Sequence, residues 1–343
     1  MPDIYLDFSR DYGSSLAAVG ATFGILGLFG SNANVLTDLW KAEQDIYPFL
    51  IDESITTASL VSRTDTNEAG RERWTIASPS MARNVRVDVL VGTNGPVVYF
   101  LEGIDSPETS NWIKNGHVQR VFSDTDATVV IPAQGAGSMW QDWAIDDPKL
   151  GRHKWETFVT EELAPIVEAE VSNNGKRGLI GLSMGASGAV MMANNNTGFF
   201  DGVAGISGCY ATPDAIGRGT ANLTVGNLGG NPNNTWSPPE AWSRNDVVSN
   251  PEGLRGTQLY LSAATGEITD KELDQYSGKP ITDQIAGSRL EAGSSQCTED
   301  LSAALTESDI EHTTDYLDQG AHGWPMFGPQ LQPAWDGIKP ALQ

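Results

Sequence analysis

Short apolar runs and period-two alternation place most of the elements along this chain. Val85–Val91 (VRVDVLV) alternates, whereas Pro96–Leu101 (PVVYFL), Ala127–Pro132 (ATVVIP) and Arg177–Leu182 (RGLIGL) are continuous apolar runs that read as buried strands. Trp74–Met81 (WTIASPSM) reads as another strand, closed by Pro79, and the rest of residues 35–80 mixes short polar and apolar stretches. A helical pattern over Glu156–Val171 separates two of the runs, and strand, helix, strand predicts a parallel sheet. Gly202–Ser207 (GVAGIS) and Gln258–Ala263 (QLYLSA) add two strands after a helix that starts at Ser183, and 309–317 (DIEHTTDYL) reads as the last strand. Between them, 208–250 is rich in Gly, Pro, Asn and Trp and too long for a simple connection, so it predicts a loop-rich cap insertion. There is no internal repeat and no interdomain linker, and 35–343 reads as one α/β domain.

Residues Leu16–Gly30 form the one long apolar run without a charge, at about 15 residues shorter than the roughly 20 that span a membrane. Its length suits the core of an export signal, and the small residues of SNAN at 31–34 suit cleavage nearby. The stretch ahead of it is acidic where export signals are basic, with Asp3, Asp7 and Asp11 against Arg10. The expectation is a signal over 1–34 and a secreted or cell-envelope protein, the alternatives being a retained anchor or a buried helix. The 343 residues carry 44 Asp and Glu against 21 Lys and Arg, a net charge of −23, which disfavours nucleic acid as a partner. Two cysteines, Cys209 and Cys297, allow at most one bridge, which an exported protein could form, and no zinc ribbon.

The chemistry concentrates at Gly181-Leu182-Ser183-Met184-Gly185, a G-x-S-x-G pentapeptide directly after an apolar strand and before a small-residue helix. That context presents a serine on the sharp strand-to-helix turn of an α/β-hydrolase fold. A serine hydroxyl needs a histidine to take its proton, and in this fold the chain order is Ser, acid, His. His117 and His153 precede Ser183, His312 lies in the last strand, and His322 sits in the loop after it, where such a base is presented. Residue pattern leaves the acid open among Glu267, Asp270, Glu272, Glu291, Glu299, Asp315 and Asp318; position alone favours Glu267 or Asp270, just past QLYLSA. The backbone N–H of Met184 is the expected first oxyanion donor.

From about Trp74 to the C-terminus the chain resembles mycolyltransferases of the antigen 85 type, exported esterases of mycolate-walled actinobacteria, and their corynebacterial relatives. The resemblance rests on SPSM (78–81), YFLEG (99–103), Trp112 to Asn115, IPAQGAGSMWQDW (131–143), KWETF (154–158), GLSMG (181–185), WSRND (242–246) and HGWPMFGPQL (322–331). It implies Ser183 as nucleophile, His322 as base and, as acid, Glu291 at the start of a later helix, with Asp270 second. It implies Ile104 as the second oxyanion donor and Glu102, Asn115 and Trp324 as sugar-binding residues. Asp105 stands where the family carries an arginine, a reversal of charge. The implied reaction moves a mycoloyl-type group from trehalose monomycolate to a second trehalose ester or to cell-wall arabinan through an acyl-serine, without metal or cofactor. The alternatives are a carboxylesterase or thioesterase of the same fold, and a wall-binding protein that has lost catalysis.

If Cys209 and Cys297 pair, the bridge fastens the acid-bearing helix to the sheet beside the catalytic turn. Trp140, Trp143 and Trp155 read as aromatic packing under loops. Trp236 and Trp242, inside the insertion, are expected to line an apolar groove for a long acyl chain.

Overall fold

The structure, a computed structural model, describes residues 49–343 apart from 67, 69, 108 and 239. The leader expected over 1–34 lies outside the described residues. Among the described residues nine strands form one sheet in the order β1-β2-β3-β5-β4-β6-β7-β8-β9. They are β1 (Ser59–Asp65), β2 (Arg71–Ser78), β3 (Arg83–Leu90), β4 (Val97–Leu101), β5 (Thr128–Pro132), β6 (Arg177–Leu182), β7 (Gly202–Ile206), β8 (Gln258–Ala264) and β9 (Thr313–Leu317). The first three pair antiparallel, and β3 pairs antiparallel with β5. From β5 through β4, β6, β7 and β8 to β9 every pairing is parallel.

Every residue of β4, β5 and β7 is buried, as expected where helices cover both faces of a parallel sheet. Alternate side chains feed two cores. Val97, Tyr99 and Leu101 of β4 join the core that holds Trp140, Trp155 and Met191, while Val98 and Phe100 join the one that holds Trp112, Leu331 and Trp335. This is the arrangement of an α/β-hydrolase fold. Strand β1 has no counterpart in the apolar pattern because nearly all of it is exposed; its place rests on backbone pairing with β2 and on ion pairs such as Arg63–Glu72 at 2.8 Å.

The helical stretch expected at 156–171 runs from Trp155 to Glu170, but Phe158–Leu163 is wound as a π-helix between two α-helical pieces. The wide turns end beside Pro165, whose ring has no N–H to return to the turn before it. The insertion 208–250 contains the helices Ala215–Gly226 and Glu240–Arg244. It is lashed to the loop at 142–154 through Asp147, which accepts from the Asn231 N–H and the Asn234 amide at 2.9 and 2.8 Å. Trp236 and Trp242 do not line a groove. They pack edge to face, ring centroids 4.8 Å apart, and are 3% and 4% exposed within the larger core. Trp140, Trp143 and Trp155 are buried in the same core. Cys209, just after β7, is joined by a disulfide to Cys297 in the long helix Ile281–Glu307.

Candidate active site

Ser183 sits between β6 and the helix Met184–Asn195 with φ 53° and ψ −122°, a conformation that costs a non-glycine residue about 1–3 kcal/mol. The turn is held because the Ser183 N–H donates to the Ile206 carbonyl at 2.8 Å and both flanking elements are buried. The glycines on either side are a packing requirement. A Cβ on Gly181 would stand 2.1 Å from the Gly185 carbonyl oxygen, and one on Gly185 would stand 2.3 Å from that of Leu101. Only without those atoms can the helix leave the strand so sharply and pass over the end of β4.

His322 reaches Ser183 from the loop after β9, its Nε2 2.7 Å from Ser183 Oγ. Its Nδ1 lies 2.8 Å from Glu291 Oε2. With Nδ1–H donating to the carboxylate, Nε2 is left as an acceptor for the serine hydroxyl. Glu291 is brought there by helical periodicity, since Gly287, Glu291, Ser294, Thr298, Leu301 and Leu305 form the buried stripe of the helix Ile281–Glu307. The carboxylate is fully buried, and burial of that charge is tolerated because each oxygen has donors. Its Oε1 accepts from the Ser207 hydroxyl and the Ala264 N–H, both at 2.7 Å.

On the opposite side of Ser183, the loop after β4 carries Glu102 to Asp105. A Cβ on Gly103 would lie 3.8 Å from that of Ser183, so this loop is in contact with the turn. It is braced by the block at 131–143: Trp140 Nε1–H donates to the Glu102 carbonyl (2.8 Å) and the Gly137 N–H to that of Ile104 (3.0 Å). Met184 opens its helix, so its N–H has no partner within that helix. Glu102 is 1% exposed; its Oε1 takes the Ser110 hydroxyl and the Trp112 N–H, and its Oε2 has no hydrogen-bond partner among the described residues. Burial, with the neighbouring Asp105 adding to it, pushes the Glu102 carboxyl up to about 7 against the pull of those donors. Burial also raises Asp105, which accepts from the Asn111 amide at 3.0 Å. Asn111 in turn accepts from Asn115, which is exposed at the end of the helix Asn111–Lys114. Trp324 packs edge to face on Trp112 at 5.6 Å, so Glu102, Asn115 and Trp324 gather around that one short helix.

The Esterase family matches residues 78–337, which takes in Ser183, Glu291 and His322. The chain belongs to that family. The chain is 28% identical over 282 residues to the diacylglycerol acyltransferase/mycolyltransferase Ag85A of Mycobacterium tuberculosis (strain ATCC 25618 / H37Rv), covering 78% of this chain and 79% of the relative. It is 28% identical over 289 residues to Ag85B, of the same description, from Mycobacterium leprae (strain TN), covering 78% and 82%. Among solved structures, MPT51 of Mycobacterium tuberculosis aligns with a TM-score of 0.64 at 23% identity, over 78% of this chain and 96% of its own. An S-formylglutathione hydrolase from Agrobacterium tumefaciens aligns at 0.59 and 18% identity, over 83% and 100%. The two structural likenesses speak for the fold alone.

Of the carboxylates that residue pattern left open, the fold brings Glu291 to the imidazole. Glu267 and Asp270 are exposed, Asp270 as the first residue of the helix Asp270–Gln275. Glu272 is buried but bonds to the loop ahead of His322. Asp315 accepts from the Tyr260 hydroxyl at 3.0 Å. His312 is bonded to Ser302 and the Ile310 carbonyl. Sequence reasoning missed Ser207, which holds the second oxygen of Glu291; its one signal is its place at the end of the apolar run GVAGIS. Among the described residues no group of three or more His, Cys, Asp or Glu is arranged to hold a metal ion, and no helix is long and apolar enough to cross a membrane.

Proposed function

We propose that this member of the Esterase family is an exported serine acyltransferase that moves a mycoloyl-type group between sugar esters through an acyl-serine intermediate. The observation that carries the reading is the continuous line from Ser183 Oγ through His322 to Glu291, with bonds of 2.7 and 2.8 Å. In the first half-reaction Ser183 Oγ attacks the ester carbonyl of a donor such as trehalose monomycolate while His322 Nε2 takes its proton. Glu291 holds the imidazole tautomer and stabilises the imidazolium. The Met184 and Ile104 N–H groups receive the oxyanion, each donor contributing about 3–4 kcal/mol. The C–O bond to the leaving sugar then breaks, and His322 returns its proton to that oxygen.

In the second half-reaction an acceptor hydroxyl, of a second trehalose ester or of wall arabinan, attacks the acyl-enzyme carbonyl while His322 takes its proton; the bond from the acyl carbon to Ser183 Oγ then breaks, and His322 returns the proton to Oγ. Glu102, Asn115 and Trp324 are the residues we assign to the sugar. The partnerless Oε2 of Glu102 supports this, since a ligand hydroxyl would satisfy it. Asp105 in the position of an arginine makes the acceptor side acidic, which favours a neutral sugar over an anionic one. The relatives described as mycolyltransferases support the acyl class. The same reading makes 1–34 an export signal and 35–343 the acyltransferase domain, in keeping with a disulfide of the kind oxidising compartments preserve.

The test offers purified protein a trehalose monoester with and without added acceptor, and follows diester and free acid. Acceptor-dependent diester formation is the expected result. Acid release that ignores the acceptor would make the protein a carboxylesterase instead. Glu291→Gln should lower kcat by about 10⁴-fold while Asp270→Asn leaves it within two-fold; the reverse would reassign the acid.

A further inference from the structure

The loop that presents His322 is tied residue by residue to the segment between β8 and the helix Ile281–Glu307, and at His322 to that helix itself. The Thr265 N–H donates to the Leu317 carbonyl at 3.2 Å and its hydroxyl to that of Asp318 at 2.7 Å. The Gln319 amide donates to Glu267 Oε1 at 3.2 Å and the Gly320 N–H to the Glu267 carbonyl at 2.7 Å. The Ala321 N–H donates to Glu272 Oε1, and the His322 N–H to the Gly287 carbonyl at 3.0 Å. Glu272 is the one of these partners that is both charged and buried, at 1% exposure.

Its two oxygens do different work. Oε2 accepts from the Thr269 N–H and hydroxyl at 2.7 and 2.9 Å, closing a capping box at the start of the helix Asp270–Gln275. The capping box needs only that oxygen, which leaves Oε1 for Ala321. Ala321 is itself fully buried, and a Cβ on the preceding Gly320 would stand 2.8 Å from Ala264 and from Met326, so the loop has little slack.

We propose that Glu272 is a positioning residue for His322: by fixing the Ala321 N–H against the helix Asp270–Gln275, it sets where the imidazole stands relative to Ser183. The inference rests on His322 acting as the base of the acyl-transfer reading. A misplacement of about 1 Å in such a group costs about 10²-fold in rate without loosening substrate binding.

The test compares Glu272→Leu and Glu272→Gln with the wild-type chain, with active sites titrated by a fluorophosphonate and the downfield proton resonance of the His322–Glu291 bond followed by NMR. Leucine removes the acceptors for both Ala321 and Thr269, while glutamine keeps one acceptor oxygen in place of two. Glu272→Leu should lower kcat per titrated site by about 10- to 100-fold with KM within two-fold, and should broaden or abolish the resonance. Glu272→Gln, whose single acceptor oxygen can serve the Ala321 N–H only while its amide nitrogen faces the Thr269 N–H, should fall between the leucine variant and wild type in both readouts. Should the leucine variant not fold, Glu272→Asp, still charged but too short to reach Ala321 as well as Thr269, is read in the same way. An unchanged kcat per titrated site, or a loss carried by KM alone, would overturn the proposal. If the wild-type chain transfers no acyl group, the acyl-transfer reading fails separately, and the resonance still decides this one: lost in Glu272→Leu if it holds, unchanged if it does not.

Discussion

The Ser207 hydroxyl donates to Glu291 Oε1 at 2.7 Å and, with the Ala264 N–H at the same distance, holds that oxygen while Oε2 meets the imidazole. Ser207 holds a left-handed φ of 58° at the end of β7, and its own N–H donates to the Ser262 carbonyl at 2.7 Å, so its hydroxyl has a fixed origin. Replacement by alanine leaves Oε1 with the Ala264 N–H alone. A hydrogen bond to a charged group contributes about 1.5–3 kcal/mol. Ser207→Ala is therefore expected to reduce kcat by roughly 10-fold or more with little change in KM, as steady-state kinetics on a chromogenic ester would show.

Gly185→Ala should be far more severe than a helix-favouring substitution normally is. Alanine raises helix propensity, but its Cβ would press on the carbonyl oxygens of Leu101 and Glu102 at 2.3 and 2.5 Å. The helix must move away from β4 or the fold must weaken, at a cost of about 1–3 kcal/mol or more. Fluorophosphonate labelling of Ser183 should fall to background even in the fraction that remains folded by circular dichroism.

The Cys209–Cys297 bridge ties the end of β7 to the helix that carries Glu291, six residues further along. It closes a loop 88 residues apart in sequence, and its loss should lower stability by about 2–4 kcal/mol. Urea unfolding of Cys297→Ser against wild type measures this. Activity in the variant should disappear at lower urea than the far-ultraviolet signal, because the helix presenting the acid loosens first.

Glu102 makes stability depend on pH in an unusual direction for a carboxylate. Its folded-state value of about 7 lies above the ordinary 4.5, so between those values the folded protein holds a proton that the unfolded chain has released. Stability from this group is therefore full below about pH 4.5 and falls as pH rises through 7, by up to about 3 kcal/mol. Glu102→Gln keeps the shape and removes the titration. Its Tm should exceed that of wild type more at pH 8 than at pH 5; an equal difference at both would contradict the assignment.

What could be read in the sequence follows from what is buried twice. Strands β4 to β7 are legible because both faces are covered, and the pentapeptide around Ser183 because two glycines are forced by contact with β4 and with each other. Strand β1 was illegible because an exposed edge strand leaves no apolar trace. Glu291 could not be separated from its acidic neighbours by spacing, since its role depends on how a helix lies across β8, and only resemblance pointed to it. Glu272 carried a readable local sign, Thr269-x-x-Glu272, but its bond to Ala321 is tertiary. The groove expected at Trp236 and Trp242 failed for the opposite reason: aromatic composition says that a surface will be covered, not whether protein or ligand covers it.

The most direct test is intact and peptide mass spectrometry of the enzyme caught during turnover of a lipid-ester donor, in wild type and in His322→Ala. The account predicts an acyl adduct on Ser183 that forms rapidly in wild type, is discharged by added trehalose, and is absent in His322→Ala. An adduct on another residue, or one on Ser183 that forms equally well without His322, would contradict it.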